Sequence, residues 1–203
     1  MRIFKELSFA DLFSVLNCTF GFIGIYNLIK NSNFLPFLYL SALMDGMDGM
    51  LAKRFGKSAL GKDLDSLADL VSFGVFPAMV IAKTCIWIAL AYLLSAILRL
   101  ARFNVLEMED FLGLPTTASA LALFTALRLG LDVRAIALLL AILMISDLRY
   151  VRVKDRKLLL VIGLVVMGNI FTVFAVYILS VMLVCYILSP GMRGLIKLNS
   201  KQG

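Results

Sequence analysis

Apolar runs recur along nearly the whole chain, at roughly 11–29, 34–54, 63–83, 86–104, 115–129, 133–148, 157–168 and 170–189. A backbone buried in lipid must satisfy its own polar groups, so runs of this kind are expected to span as helices. Several are shorter than the ~20 residues that cross the hydrocarbon core upright. Apolar residues make up 62% of the chain, with a mean hydropathy of +0.97, where soluble domains sit near ~45–50%. The expectation is all-α: a polytopic membrane helical bundle forming a single domain over 1–203. The last two runs are either one helix broken at Gly168-Asn169 or two short ones.

The net charge of +7 on its own suits a nucleic-acid binder. The basic residues lie between apolar runs, however, where they act as topology determinants and contact lipid headgroups, so no nucleic-acid partner is expected. With eight transmembrane helices, only Lys30, Lys83, Arg128 and Arg134 of the 20 lysines and arginines fall on one side. That bias puts both termini in the cytoplasm. Fusing the last two runs would move Arg193, Lys197 and Lys201 across and weaken it. Eight spans is therefore the preferred count, with six or seven the alternatives. The opening MRIFKELSFADLF has no small-residue cleavage site and is expected to stay as a short N-terminal interfacial helix.

The chain has no histidine, which removes histidine bases, nucleophiles and metal ligands together. Cys18, Cys85 and Cys185 lie far apart in apolar segments, and no disulfide is expected.

Against this background, Met44–Asp69 stands out: MDGMDGMLAKRFGKSALGKDLDSLAD. It carries Asp45, Asp48, Asp63, Asp65 and Asp69 at the cytoplasmic ends of spans 2 and 3, and ionisable groups at membrane depth are costly. Asp45 and Asp48 are spaced i, i+3 and Asp65 and Asp69 i, i+4, so each pair shares a helix face. At about 100° per residue, Asp65, Ala68, Asp69, Ser72 and Phe76 form one stripe, and Asp63 points away from it. Two antiparallel helices would bring the four carboxylates together, where they cannot all ionise without compensating cations. Oxygen-only ligands suit Mg²⁺, Mn²⁺ or Ca²⁺ rather than zinc. Two such ions form a clamp suited to a diphosphate. Ala42, Gly46, Gly49 and Ala52 lie beside the aspartates, and either permit close helix packing or leave room for a flat base. Co-facial carboxylates in a membrane also suit a divalent-cation transporter.

Asp45-x2-Asp48-Gly49-x2-Ala52-Lys53 followed by Gly61-x3-Asp65-x3-Asp69 resembles the signature of the CDP-alcohol phosphotransferases. The family typically has arginine where Lys53 stands, and the spacer to Gly61 is one residue shorter here, so either Lys53 or Arg54 meets phosphate. Leu64–Ala78 (LDSLADLVSFGVFPA), Arg99–Val105 (RLARFNV) and Gly113–Ala120 (GLPTTASA) resemble the membrane-embedded phosphatidylserine or archaetidylserine synthases, as does LNCTFGF in the first span. The family typically has proline where Thr117 stands.

The resemblance implies transfer of a phosphatidyl-type group from CDP-diacylglycerol or CDP-archaeol to the hydroxyl of L-serine, with release of CMP. The alternative within the family is another acceptor, glycerol phosphate or inositol phosphate. It implies two divalent cations, Mg²⁺ or Mn²⁺, with Ca²⁺ a non-productive occupant, on Asp45, Asp48, Asp65 and Asp69. Asp69 is then also the base. Gly49, Ala52 and Gly61 line the cytidine, and Lys53 or Arg54 meets phosphate. Asn17 either reaches the diphosphate or pairs with a neighbouring helix. At least one of Arg99 and Arg102 grips the serine carboxylate with Asn104 nearby, or both only anchor the helix end. A homodimer in the cell membrane, with its site facing the cytoplasm, is also implied. The absence of histidine excludes the unrelated phospholipase-D-like serine synthases.

Overall fold

In the computed structural model the apolar runs are helices. It describes residues 8–55, 58–105, 111–151 and 155–199, and the side chains within them other than those at 53–55, 111, 156 and 191–199. Most of the expected N-terminal interfacial helix lies outside the described residues. Eight helices are present among them: α1 (Asp11–Ile29), α2 (Leu35–Phe55), α3 (Gly61–Ala82), α4 (Ile86–Val105), α5 (Thr116–Arg128), α6 (Val133–Ile145), α7 (Arg156–Phe171) and α8 (Val173–Asn199). α1, α3, α4 and the Val173–Pro190 part of α8 are long and apolar enough to cross a membrane. α5 and α6 have 13 residues each, only about 20 Å of rise. Large side chains such as Trp87, Phe171 and Phe174 point outward with more than two thirds of their surface exposed, as lipid-facing groups do and water-facing ones rarely do. The chain is an integral membrane protein.

Local chemistry explains where the helices stop. Asp132 and Asp155 cap α6 and α7, accepting hydrogen bonds from the backbone N–H of Arg134 and Lys157. α5 ends at Gly130 (φ +72°), with Gly130 N–H bonded to Leu127 O and Leu131 N–H to Ala126 O, the paired C-terminal bonds that a left-handed glycine permits. α3 is α-helical over Gly61–Asp69, π-helical over Leu70–Val75 and α-helical again from Phe76. The last two runs are separate helices. They break at the extended Thr172 rather than at Gly168-Asn169, because Asn169 stays helical and its Nδ2 reaches both Val165 O (2.7 Å) and Ala175 O (3.1 Å) across the break. α8 also continues beyond the expected end at 189, through Pro190.

One short element was not expected. β1 (Phe111–Leu112) pairs antiparallel with β2 (Arg149–Tyr150), fastening the α4–α5 loop to the α6–α7 loop. The buried Tyr150 ring rests against Tyr186 of α8. The aromatic core occupies the opposite end of the bundle. Phe34, Phe76 and Phe124 meet edge to face there, with centroids 5.0–6.2 Å apart. The two ends are thus chemically distinct, one packed with rings and the other holding the aspartates.

Candidate active site

α2 and α3 run antiparallel and present their aspartates to each other. One carboxylate oxygen from each of Asp45, Asp65 and Asp69 lies within 4.8 Å of the others. Asp48, one turn along α2, is almost fully buried. Asp63 is exposed on the far side of α3, as the helical spacing predicts.

α1 closes over this cluster along one stripe, Ser14, Asn17, Gly21 and Gly24, all buried. Ser14 Oγ donates to Asp48 Oδ2 at 2.9 Å, and Asn17 Nδ2 donates to Asp69 Oδ1 at 3.0 Å. The Asn17 carbonyl accepts from Ser41 Oγ (3.1 Å) of α2 and Ser72 Oγ (2.8 Å) of α3, so a single peptide ties three helices together. Such close approach needs glycine: a Cβ on Gly21 would stand 2.8 Å from Ser72 Cα, and one on Gly24 would stand 2.4 Å from the Phe76 ring.

α5 closes another side. Gly113 (φ +76°) is pressed so tightly on Met144 O that any Cβ would collide with it, and Leu114 N–H bonds to Leu143 O at 3.0 Å. Pro115 then begins the helix, and the next two residues face different partners. Thr116 Oγ1 accepts from Arg99 Nη1 at 3.2 Å, while Thr117 Oγ1 donates to Asp45 Oδ2 at 2.9 Å. Arg99, buried on α4, also packs over the Phe103 ring and lies within electrostatic reach of Asp69 and Asp45.

The remaining sequence-derived candidates divide. Gly49 and Gly46 are exposed, and a Cβ on either meets nothing within 4 Å among the described residues. They therefore border open space rather than a packed helix. Ala52 and Gly61 are buried at the neighbouring turns. The side chains of Lys53 and Arg54 lie outside the described residues. Arg102 pairs with the exposed Asp147 in the loop before β2. Asn104 turns toward α3, where its Oδ1 accepts from Ser66 Oγ (2.9 Å) and its carbonyl from Lys62 Nζ (2.8 Å). The structure thus brings Arg99, but neither Arg102 nor Asn104, to the aspartates. Ser14, Thr116 and Asp147 escaped the sequence reading, and Thr117 entered it only as a departure from the family pattern. Ser14 had a legible signal, a polar residue one turn before Asn17 in an apolar run; Asp147 had none.

A cavity of about 370 Å³ opens beside the carboxylates between α2, α5 and α7, with Asp45 and Thr117 at its polar end and Leu43, Leu121, Leu160 and Met167 along its apolar length. The oxygen-only, acidic donor set fits a hard divalent cation. An anionic cluster thus meets an apolar groove, the arrangement needed by a substrate with a charged head and a lipid tail.

The model of the CDP-alcohol phosphatidyltransferase family matches residues 7–146. The chain belongs to this family. It includes all four aspartates, Arg99 and both threonines in the matched segment, whereas α7 and α8 lie beyond it. The transferase is 35% identical over 161 residues to a Methanocaldococcus jannaschii protein named CDP-diacylglycerol–serine O-phosphatidyltransferase, covering 75% of this chain and 78% of that one. It is 35% identical over 170 residues to an archaetidylserine synthase of Methanothermobacter thermautotrophicus, covering 75% and 73%. A Bacillus subtilis protein with the first of these names is 29% identical over 125 residues, covering 55% of this chain and 71% of its own length.

Proposed function

We propose that this transferase moves a phosphatidyl-type group from CDP-diacylglycerol or CDP-archaeol to the hydroxyl of L-serine and releases CMP. The observation that carries the proposal is the convergence of Asp45, Asp65 and Asp69 within 4.8 Å, beside a buried arginine and at the mouth of an apolar groove. The names of the relatives support serine as the acceptor.

Asp69 is the base. Asn17 Nδ2 donates to its Oδ1 and orients the carboxylate that takes the serine hydroxyl proton. The serine oxygen forms a bond to the phosphorus nearest the lipid, and the bond from that phosphorus to the CMP oxygen breaks in the same displacement. Asp45, Asp48, Asp65 and Asp69 would hold two divalent cations, Mg²⁺ or Mn²⁺, which would offset the charge on the diphosphate and on departing CMP. Arg99 receives the serine carboxylate, its guanidinium already oriented by Thr116 and Phe103. Gly49, Ala52 and Gly61 border the cytidine, with Lys53 or Arg54 on the phosphates, and the groove between α2, α5 and α7 takes a lipid chain. The enzyme works as one membrane domain of eight spans, as a homodimer, with its site and both termini in the cytoplasm, where serine and CTP-derived donors are found.

The test is CMP release from purified protein in detergent with Mn²⁺, L-serine and either CDP-diacylglycerol or CDP-archaeol. Serine-dependent CMP that disappears in Asp69→Asn is the expected result. CMP appearing only with glycerol phosphate or inositol phosphate would remove serine. Metal binding with no CMP from any donor or alcohol would replace the transferase reading with cation transport.

A further inference from the structure

The Thr117 hydroxyl hydrogen-bonds to a carboxylate of the cluster across 72 residues of chain. We infer that Thr117 is a positioning residue: its hydroxyl fixes the Asp45 carboxylate in the orientation that offers an oxygen to a divalent cation. The inference rests on Asp45 being a metal ligand, as proposed above.

Three features make Thr117 rigid enough for this. The loop before it is clamped on the end of α6, through Gly113 against Met144 O and through Leu114 N–H to Leu143 O. Its neighbour Thr116 is gripped by the buried Arg99. The residue itself occupies the first turn of α5, which is packed against α2. Asp45 borders the cavity and the exposed Gly46, and the Thr117 hydroxyl at 2.9 Å occupies a lone pair of its Oδ2. Hydrogen bonds behind a ligand set its direction and basicity, and losing one typically lowers metal affinity about 10–100-fold. An apolar side chain at this position would have no donor to offer Asp45. The same helical turn also links the arginine and carboxylate sides of the site, because Thr116 and Thr117 are adjacent.

The experiment is direct titration of Mn²⁺ into purified protein, with free Mn²⁺ followed by electron paramagnetic resonance, no substrate present, and thermal unfolding measured on the same samples. Thr117→Val and Thr117→Ala are expected to bind Mn²⁺ about 10–100-fold more weakly at nearly unchanged unfolding temperature, and Thr117→Ser to retain wild-type affinity. Asp45→Asn serves as the reference for loss of the ligand itself. Wild-type affinity in the Val or Ala variant would overturn the inference while leaving the metal reading intact. So would a Ser variant as weak as Val. A wild-type protein that binds no Mn²⁺ would overturn both. Binding that follows the expected pattern without any CMP release would sustain the positioning and reject the proposed transfer to serine.

Discussion

Two glycine-to-alanine substitutions separate packing from ligand space. At Gly21 a Cβ would stand 2.8 Å from Ser72 Cα and 2.2 Å from its Oγ. Carbon atoms rest at about 3.5–4.0 Å, so α1 and α3 must part by roughly 1 Å. Overpacking of this kind costs about 1–3 kcal/mol, and the better helix propensity of alanine returns only about 1 kcal/mol. At about 2–4 °C per kcal/mol for a chain of this size, Gly21→Ala should melt a few degrees lower. Asn17 lies one turn away on the same stripe and would be drawn off Asp69, and a misplacement of about 1 Å costs on the order of 10²-fold in rate. Gly49→Ala makes the opposite case, since its Cβ meets nothing within 4 Å among the described residues. Its melting temperature should hold or rise while KM for the CDP-lipid increases. Thermal unfolding in detergent and steady-state CMP release measure both. A Gly21→Ala protein as stable and as active as the wild type would refute the close-approach reasoning. An unchanged kcat/KM in Gly49→Ala would remove the nucleotide from that space.

Further outcomes concern the acceptor side and the metal. Arg99→Lys, which loses the planar fork that meets Thr116, should raise KM for serine about tenfold or more with little change for the lipid donor; equal effects on both would point to a folding defect instead. Arg102→Gln breaks only a partly exposed pair with Asp147, a contact worth about 0–1 kcal/mol, and should leave KM for serine within about threefold. A larger rise would bring Arg102 back to the serine subsite. Removal of metal by EDTA should abolish CMP release, with recovery on adding Mn²⁺ or Mg²⁺ but not Ca²⁺, which accepts looser, larger coordination shells. Activity persisting in EDTA would refute metal dependence.

Much of the site was legible before any tertiary contact was known, because helical periodicity is a local property. Spacings of three and four put Asp45 beside Asp48 and Asp65 beside Asp69 and turned Asp63 outward; the structure brings Asp45, Asp65 and Asp69 together and exposes Asp63, while Asp48 is buried against Ser14. The eight apolar runs became eight helices because a backbone in lipid has few other ways to satisfy its polar groups. Spacing names the residues on a face but not what stands opposite. Arg99 and Arg102 share an i, i+3 relation, yet one is buried beside the aspartates and the other pairs at the surface with Asp147. Gly46 and Gly49 suited either helix packing or a flat base, and they border open space among the described residues, whereas Gly21 and Gly24 stand at a helix crossing. The hydrogen bonds from Ser14, Asn17 and Thr117 to three different aspartates span 34, 52 and 72 residues. They exist only because α1 and α5 pack where they do. Local sequence therefore determined which residues carry the chemistry, and helix packing decided which neighbours hold each of them in place.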